Sequence, residues 1–448
     1  MPEYLKTICR FAVETDFEDL PPGVVDGAKK VLYDTIAAIA AGAQHREPRE
    51  MARRLGAYSP REIASVIGQK RKMDPLNAAL LNGTSGTWLE LDEGNQFARG
   101  HAGIHVVPAA LAVGEEKGVS GKELIAAIVL GYEMACRIGI ASKLRMTMHP
   151  HGSWGTVGAA VTVGKLMGID VESMITLVNI ASSMTLATSR KTMLEGGTVR
   201  NLYAGVSGSM AILAFHLLES GFTGEEDGIG SVYGGVVSDS FNPAAMTEAL
   251  GSRYEITRNY FKAYACCRYN HSSLDALYRI MKQQKEGVLR PEDVESVHVE
   301  TYSLAAQLSS RKPRNMLAAK FSIPFAIATT VVHGHSGVES FLPEKVEQKE
   351  IQELAARVQV EERAEFTQMM PARRPSRVTV RLKNGKTFTE TVWVSKGDLE
   401  DPYTEEELDR KFIDLTGPIY GLEKAKEILD RAKRVESYKD VRTFTEGF

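Results

Sequence analysis

The chain has 448 residues, 43% of them hydrophobic, which is enough for two or three domains with apolar cores of their own. With 54 basic and 57 acidic side chains the formal net charge is only -3, so the chain offers no field for nucleic acid or an anionic membrane, and neither partner is expected. Four cysteines, Cys9, Cys136, Cys266 and Cys267, are too few for a disulfide framework, and with no leader pattern and no unbroken run of about 18 apolar residues the expected location is the cytoplasm.

Residues 21–42 open on proline, carry apolar side chains at Ala28, Val31, Leu32, Ile36 and Ile39, and close on Gly42, which predicts an amphipathic helix with both ends marked. DPLNAALLNG and VVPAALAVGEEKG read as two buried helices on either side of residues 89–108. Ser120 and Glu123 form a capping box ahead of LIAAIVLGYEMACRIG, and residues 155–168 place small side chains at helical spacing, which predicts closely packed helices. Helical patterns recur at SMITLVNIASSM and VSGSMAILAFHLLESG, so the first ~250 residues read as all-helical.

The pattern changes after Lys262. Residues 294–303 and 376–383 alternate in period 2, and Asn384-Gly385 joins the second run to another, KTFTETVWV, as a hairpin. Helices are expected between the strands at LDALYRIMKQQ, KFSIPFAIATTVV and EKVEQKEIQELAARV, and helical periodicity returns at TEEELDRKFIDLTG and LEKAKEILDRAKRVE. The fold class is therefore mainly α with an α+β lid. A large helical domain takes residues 1–260 and 400–448, and the smaller α+β domain takes residues 261–399.

Proton-handling side chains are densest in residues 89–108, LELDEGNQFARGHAGIHVVP, where Gly94, Gly100 and Gly103 are expected to let the backbone turn toward a ligand. His101 and His105 stand four apart, and His149 and His151 two apart, so a metal site has to be weighed. Glycines and Pro108 crowd the first pair and no C-x-x-C is present, so no metal is expected. No phosphate-binding glycine loop follows a strand, so no cofactor is expected either. Metal-free acid/base chemistry suits the inventory better, with His101 and His149 as the proton-transfer pair facing each other across a substrate. Cations gather alongside, at Arg99, Lys143, Arg145, Arg190, Lys191, Arg200, Lys262 and Arg268, and suit a small carboxylate; Lys262 is expected to close the cavity and hold that carboxylate.

In chain order, NAALLNGTSGTWLELDEG, HAGIHVVPAALAVGE, MHPHGSWGTVGAA, RNLYAG, FKAYACCRYNHSSLDA, KFSIPFAIA and KGDLEDPYTEEELDRKF resemble the MmgE/PrpD family over nearly the whole chain. That family includes 2-methylcitrate dehydratase, cis-aconitate decarboxylase and iminodisuccinate epimerase. The resemblance implies a metal-free, cofactor-independent enzyme acting on a small di- or tricarboxylate, assembled as a homodimer. Carried over by position, it implies catalytic roles for His101, His149 and Lys262, and substrate contacts from Glu90, Asp92, Ser153, Arg200, Tyr264, Cys267, Arg268 and His271. The chain departs from the family pattern at Thr87 (usually His), Glu90 and Glu93 (Asp), Gly94 (Thr), Ala102 (Pro), His151 (Thr), Arg200 (Lys), Tyr203 (His) and Ala265 (Pro). The expected reaction is removal of a proton α to a carboxylate with loss of water, as in 2-methylcitrate dehydratase. The alternatives are an epimerase or racemase of an imino- or hydroxy-dicarboxylate, and a non-catalytic carboxylate-binding protein on the same fold.

Overall fold

A computed structural model describes residues 1–284 and 289–448. The fold is mainly α with a smaller α+β region, and its buried apolar side chains form two clusters. The first draws on residues 5–261 and on Leu408, Phe412, Ile428 and Val435 near the C-terminus. The second is built from residues 265–392 and also takes in Trp88, Leu89 and Leu91. Residues 88–91 thus leave the helical core and enter the other one, which carries the most polar stretch of the sequence to the junction.

The predicted helices form where their end signals place them. Pro22–Gly42 begins on Pro22, and Gly121–Ala141 carries the full capping box, with Ser120 accepting from the Glu123 N–H. Gly121–Ala141 and the stretch Thr198–Glu219 are long and apolar enough to cross a membrane, but 94% and 61% of their apolar windows are buried inside the protein, as befits core helices. The small residues have the expected packing role. A Cβ on Gly83 would meet the Gly205 Cα at 2.6 Å, so the helices Pro75–Gly86 and Tyr203–Glu219 touch backbone to backbone. Beyond the first helix's end, the Thr87 hydroxyl donates to the Asn201 carbonyl at 2.7 Å and ties the loop that follows to the Arg200 segment.

The second core wraps a four-stranded sheet in the order Thr387–Val392, Ser376–Leu382, Val294–Thr301, Val358–Glu362. The hairpin forms at Asn384-Gly385, with Gly385 at φ 86°, and pairs Thr387 with Arg381. Two predicted helices are shorter than their periodicity suggests. KFSIPFAIATTVV is interrupted at Phe321, and Ser322 caps a new helix, Ile323–His333. EKVEQKEIQELAARV breaks into Pro343–Val346 and Lys349–Ala355, and its last residue begins the unforeseen parallel edge strand Val358–Glu362, which buries only Val358. The helices Glu405–Tyr420 and Leu422–Lys433 return to the first core, where Lys411 pairs with the buried Asp34 at 2.6 Å and donates to the Leu91 carbonyl at 2.8 Å.

Candidate active site

Several segments from each of the two cores meet at the junction. Residues 87–101 run between the helices Pro75–Gly86 and Gly103–Lys117. Gly94 and Asn95 pair with Tyr260 and Asn259, which brings Lys262 beside them. Lys320 donates to the Trp88 carbonyl at 2.8 Å, while its own carbonyl accepts from Cys267 N at 3.0 Å, so the second core grips the same loop. The expected turning role of Gly94, Gly100 and Gly103 is not observed: the left-handed residues of the loop are Glu90 (φ 56°) and Arg99 (φ 57°). The glycines serve close packing instead. A Cβ on Gly100 would come within 2.3 Å of the Trp154 ring, and one on Gly103 within 2.5 Å of a Glu93 carboxylate oxygen.

Electrostatics in the loop are set by buried pairs. Lys262 Nζ lies 3.3 Å from Asp92 Oδ1 and 3.6 Å from Glu90 Oε2, and Arg200 closes on the other Glu90 oxygen. Burial alone would favour neutral forms, but Lys262 and then His101 hold Asp92 well below the usual carboxylate range, and Asp92 and Glu90 hold Lys262 above the ordinary lysine value. Among the described residues no cation pairs with Glu93. Burial pushes its carboxyl up to about 8, although Tyr132 and the Gly103 N–H both donate to it.

His101 is fixed by its Nδ1, which lies 2.5 Å from the Glu93 carbonyl oxygen and 3.1 Å from Asp92 Oδ2. Both neighbours are acceptors, so Nδ1 carries the hydrogen and Nε2 is left as the free nitrogen. His105, at the start of the next helix, donates from Nδ1 to the His101 carbonyl at 2.6 Å and accepts at Nε2 from the Gly152 N–H at 3.3 Å. Burial pushes its pKa down to about 4, and the neutral ring links the His101 loop to the His149 loop. Gly155 makes room for it, since a Cβ there would lie 2.3 Å from the ring.

His149 and His151 precede the helix Trp154–Met167. His149 Nδ1 accepts from the His151 N–H at 3.1 Å, and its Nε2 faces Arg200 Nε at 3.3 Å. Burial and then Arg200 hold both rings well below the ordinary histidine value. The ring of His151 stands between the expected pair, its centroid 4.9 Å from that of His101 and 4.9 Å from that of His149.

These rings open on a small cavity of about 40 Å³ whose wall includes Glu90, His101, His149, His151, Arg200, Cys267 and Arg268. Two larger grooves, one beside Phe17 and Lys165 and one beside Tyr403 and Lys411, contain no histidine. Five arginines line the cavity, Arg99, Arg190, Arg200, Arg268 and Arg374. Arg200 is paired with Glu90, and Arg268 with Asp398 at 2.6 Å. Arg374 is buried against the rings of Tyr260 and Tyr269, and its Nη1, like Nε and Nη1 of Arg190, has no hydrogen-bond partner. Uncompensated buried donors of this kind suit carboxylate oxygens.

Several expected contacts lie elsewhere. Lys262 is behind the wall, neutralising two buried carboxylates, and faces a separate groove beside Tyr403 and Lys411; it does not close the cavity. Asp92 acts on the cavity through His101. Ser153 is buried and donates to the Pro150 carbonyl at 2.5 Å, Tyr264 donates to Asp275 at 2.6 Å, and His271 sits against Arg268 at 3.0 Å, none of them on the cavity wall. Arg374 and His151 went unassigned in the sequence. The first lies in no motif, whereas the second had a signal in its replacement of the family's Thr. Among the described residues Asp92, His101 and His151 place ligand atoms within 4.8 Å of one another, close enough to share a cation. Lys262 already occupies Asp92, and Arg200 adds a second positive charge nearby, which disfavours a divalent ion.

A mainly helical protein with a smaller α+β region is the fold the motifs implied. The model of the MmgE/PrpD N-terminal domain matches residues 6–243 and that of the C-terminal domain residues 264–436; the chain belongs to the MmgE/PrpD family. It is 25% identical over 460 residues to the cis-aconitate decarboxylase of Aspergillus terreus, covering 97% of this chain and 93% of that protein. A cis-aconitate decarboxylase-like protein of Aspergillus oryzae is 24% identical over 97% of this chain and 95% of its own length, and the human cis-aconitate decarboxylase 22% identical over 94% and 89%.

Proposed function

We propose that the protein is a cofactor-independent lyase of a small di- or tricarboxylate, in which histidines of the cluster move the proton at the carbon α to a carboxylate. The observation that carries this reading is His101, fixed by the Glu93 carbonyl beside the Asp92 carboxylate, in a cavity where, among the described residues, Arg190 and Arg374 have donors to spare. Removing such a proton builds charge on the adjoining carboxylate, and fixed guanidinium groups stabilise it as it develops. Asp92 suits His101 to carrying the positive charge that proton transfer leaves on a ring. Loss of water, as in a 2-methylcitrate dehydratase, is the leading reaction. Loss of CO2 is the second reading, favoured by what the relatives are called. A homodimer in the cytoplasm is part of the proposal, and light scattering checks the assembly.

Proton NMR of hydroxy-, amino- and unsaturated di- and tricarboxylates in D2O tests the reading, because α-exchange, elimination, decarboxylation and epimerisation give different spectra. Exchange coupled to loss of water or CO2 is expected for one member; binding with no exchange or turnover anywhere in the panel supports the non-catalytic alternative instead. Turnover is expected to survive exhaustive chelation. One tightly held ion per chain, with activity lost on its removal, contradicts that.

Arg200→Lys is expected to change the order of preference across the panel rather than abolish turnover. The guanidinium spans Glu90, His149 Nε2 and the Phe321 face together, whereas an ammonium offers a point charge and cannot stack in the same way. Identical relative rates for the variant would place Arg200 outside the substrate's reach.

A further inference from the structure

His149 is the histidine that the family pattern marks as partner to His101, but its ring is engaged on both sides. Its Nδ1 accepts the His151 N–H and its Nε2 faces Arg200 Nε, and a neutral imidazole accepts at one nitrogen only. Neither nitrogen is left to take a proton from a substrate. His151 differs on each point. It lines the same cavity, its Nδ1 is buried with no hydrogen-bond partner among the described residues, and a nitrogen of the ring lies within 4.8 Å of a nitrogen of His101. We propose that His151, at a position where the family pattern has threonine, is the second proton-transfer group of this site, and that His149 positions its loop.

The proposal rests on the lyase reading and assigns the two rings. His151 starts neutral, kept so by burial and by the nearby Arg200. It accepts the α-proton. The electron pair of the broken C–H bond becomes the new carbon–carbon double bond, the C–O bond breaks, and His101, in the protonated form that this step requires, gives its Nε2 proton to the departing hydroxyl, which leaves as water. Passage of a proton from His151 to His101, whose ring centroids are 4.9 Å apart, resets the site. His105 holds the two loops in that relation through its contacts with the His101 carbonyl and the Gly152 N–H.

Two measurements test this. In D2O, with the substrate found in the panel, His151→Gln and His151→Thr are expected to lose α-exchange and turnover by about 100-fold or more. His149→Gln is expected to keep exchange within about 10-fold of the wild type, short of the loss expected for a proton-transfer group. Wild-type-like exchange in both His151 variants overturns the assignment, as does a melting temperature far below the wild type's in both, which would make the ring a packing group. The second measurement needs no turnover. In protein labelled with 15N-histidine and titrated with propane-1,2,3-tricarboxylate, the ring signals missing from His151→Gln should shift, while those missing from His149→Gln stay in place. The reverse pattern rules the proposal out. If the wild type neither exchanges any panel member nor shifts any ring signal, the carboxylate-lyase reading itself falls and takes this assignment with it; exchange that persists without His151 removes the assignment alone.

Discussion

His101→Gln is expected to lower turnover by about 100-fold or more, the usual loss for a general acid/base group, with little change in melting temperature. The ring is 12% exposed at the cavity edge, and its hydrogen bonding is confined to Nδ1. Gln removes the titrating nitrogen while keeping a polar group of similar reach. Asp92→Asn should move turnover in the same direction, because an amide loses the charge that favours a protonated ring beside it. The distinguishing reading is the coupling between steps. With His151 as acceptor, His101→Gln should retain more α-exchange than net turnover, since the proton can be lost and regained while the hydroxyl has no donor. A His101→Gln enzyme with near-normal turnover on its substrate removes His101 from the chemistry.

Much of the fold was legible because its signals are local. Pro22, the Ser120/Glu123 box and Asn384-Gly385 act within one turn of chain, and each produced the element it predicts. The failures share a cause as well. The strand Val358–Glu362 buries one side chain and owes its existence to a partner about sixty residues earlier in the sequence, so alternation within the segment could not reveal it. Gly94, Gly100 and Gly103 read as turns in one dimension. Their reason is three-dimensional, the approach of Tyr260, Trp154 and Glu93 to positions where a Cβ would collide.

The candidate site divides in the same way. The density of ionisable groups in residues 89–108 pointed to a loop that reaches the histidine cavity, and His101, His149, Arg200, Cys267 and Arg268 line that cavity. Residue type alone did not separate groups that face the cavity from those that neutralise its wall. Lys262 reads as a substrate cation because a lysine in the aromatic and cysteine-rich segment FKAYACCRYNHSSLDA argues against free solvation and suits a carboxylate, yet here two buried carboxylates leave it no free charge to offer. Arg374 was invisible for the opposite reason. Nothing beside it in the sequence is unusual, and its value lies in lacking a partner after folding.

Lys262→Met should therefore cost stability more than substrate affinity. The variant leaves Asp92 buried without its ammonium partner, and Glu90 dependent on Arg200, and breaking a buried pair by removing one partner typically costs about 3–5 kcal/mol. The pH dependence separates this from a packing defect. Asp92 has a folded pKa depressed below its unfolded value, so its contribution is present above the ordinary carboxylate range, around pH 4, and is lost as pH falls through the folded value. Lys262 has a raised folded pKa, so its contribution is full below the ordinary lysine range, roughly pH 10, and is lost as pH rises through the folded value. The difference in unfolding free energy between wild type and variant is therefore expected to be widest near neutrality and to narrow toward acid, where the orphaned carboxylates take up protons. Adding Asp92→Asn to Lys262→Met should recover part of the loss, since the second change removes the charge that the first left unpaired. A deficit that stays flat with pH, together with no recovery in the double variant, would mean that Lys262 stabilises the junction by volume and not by charge.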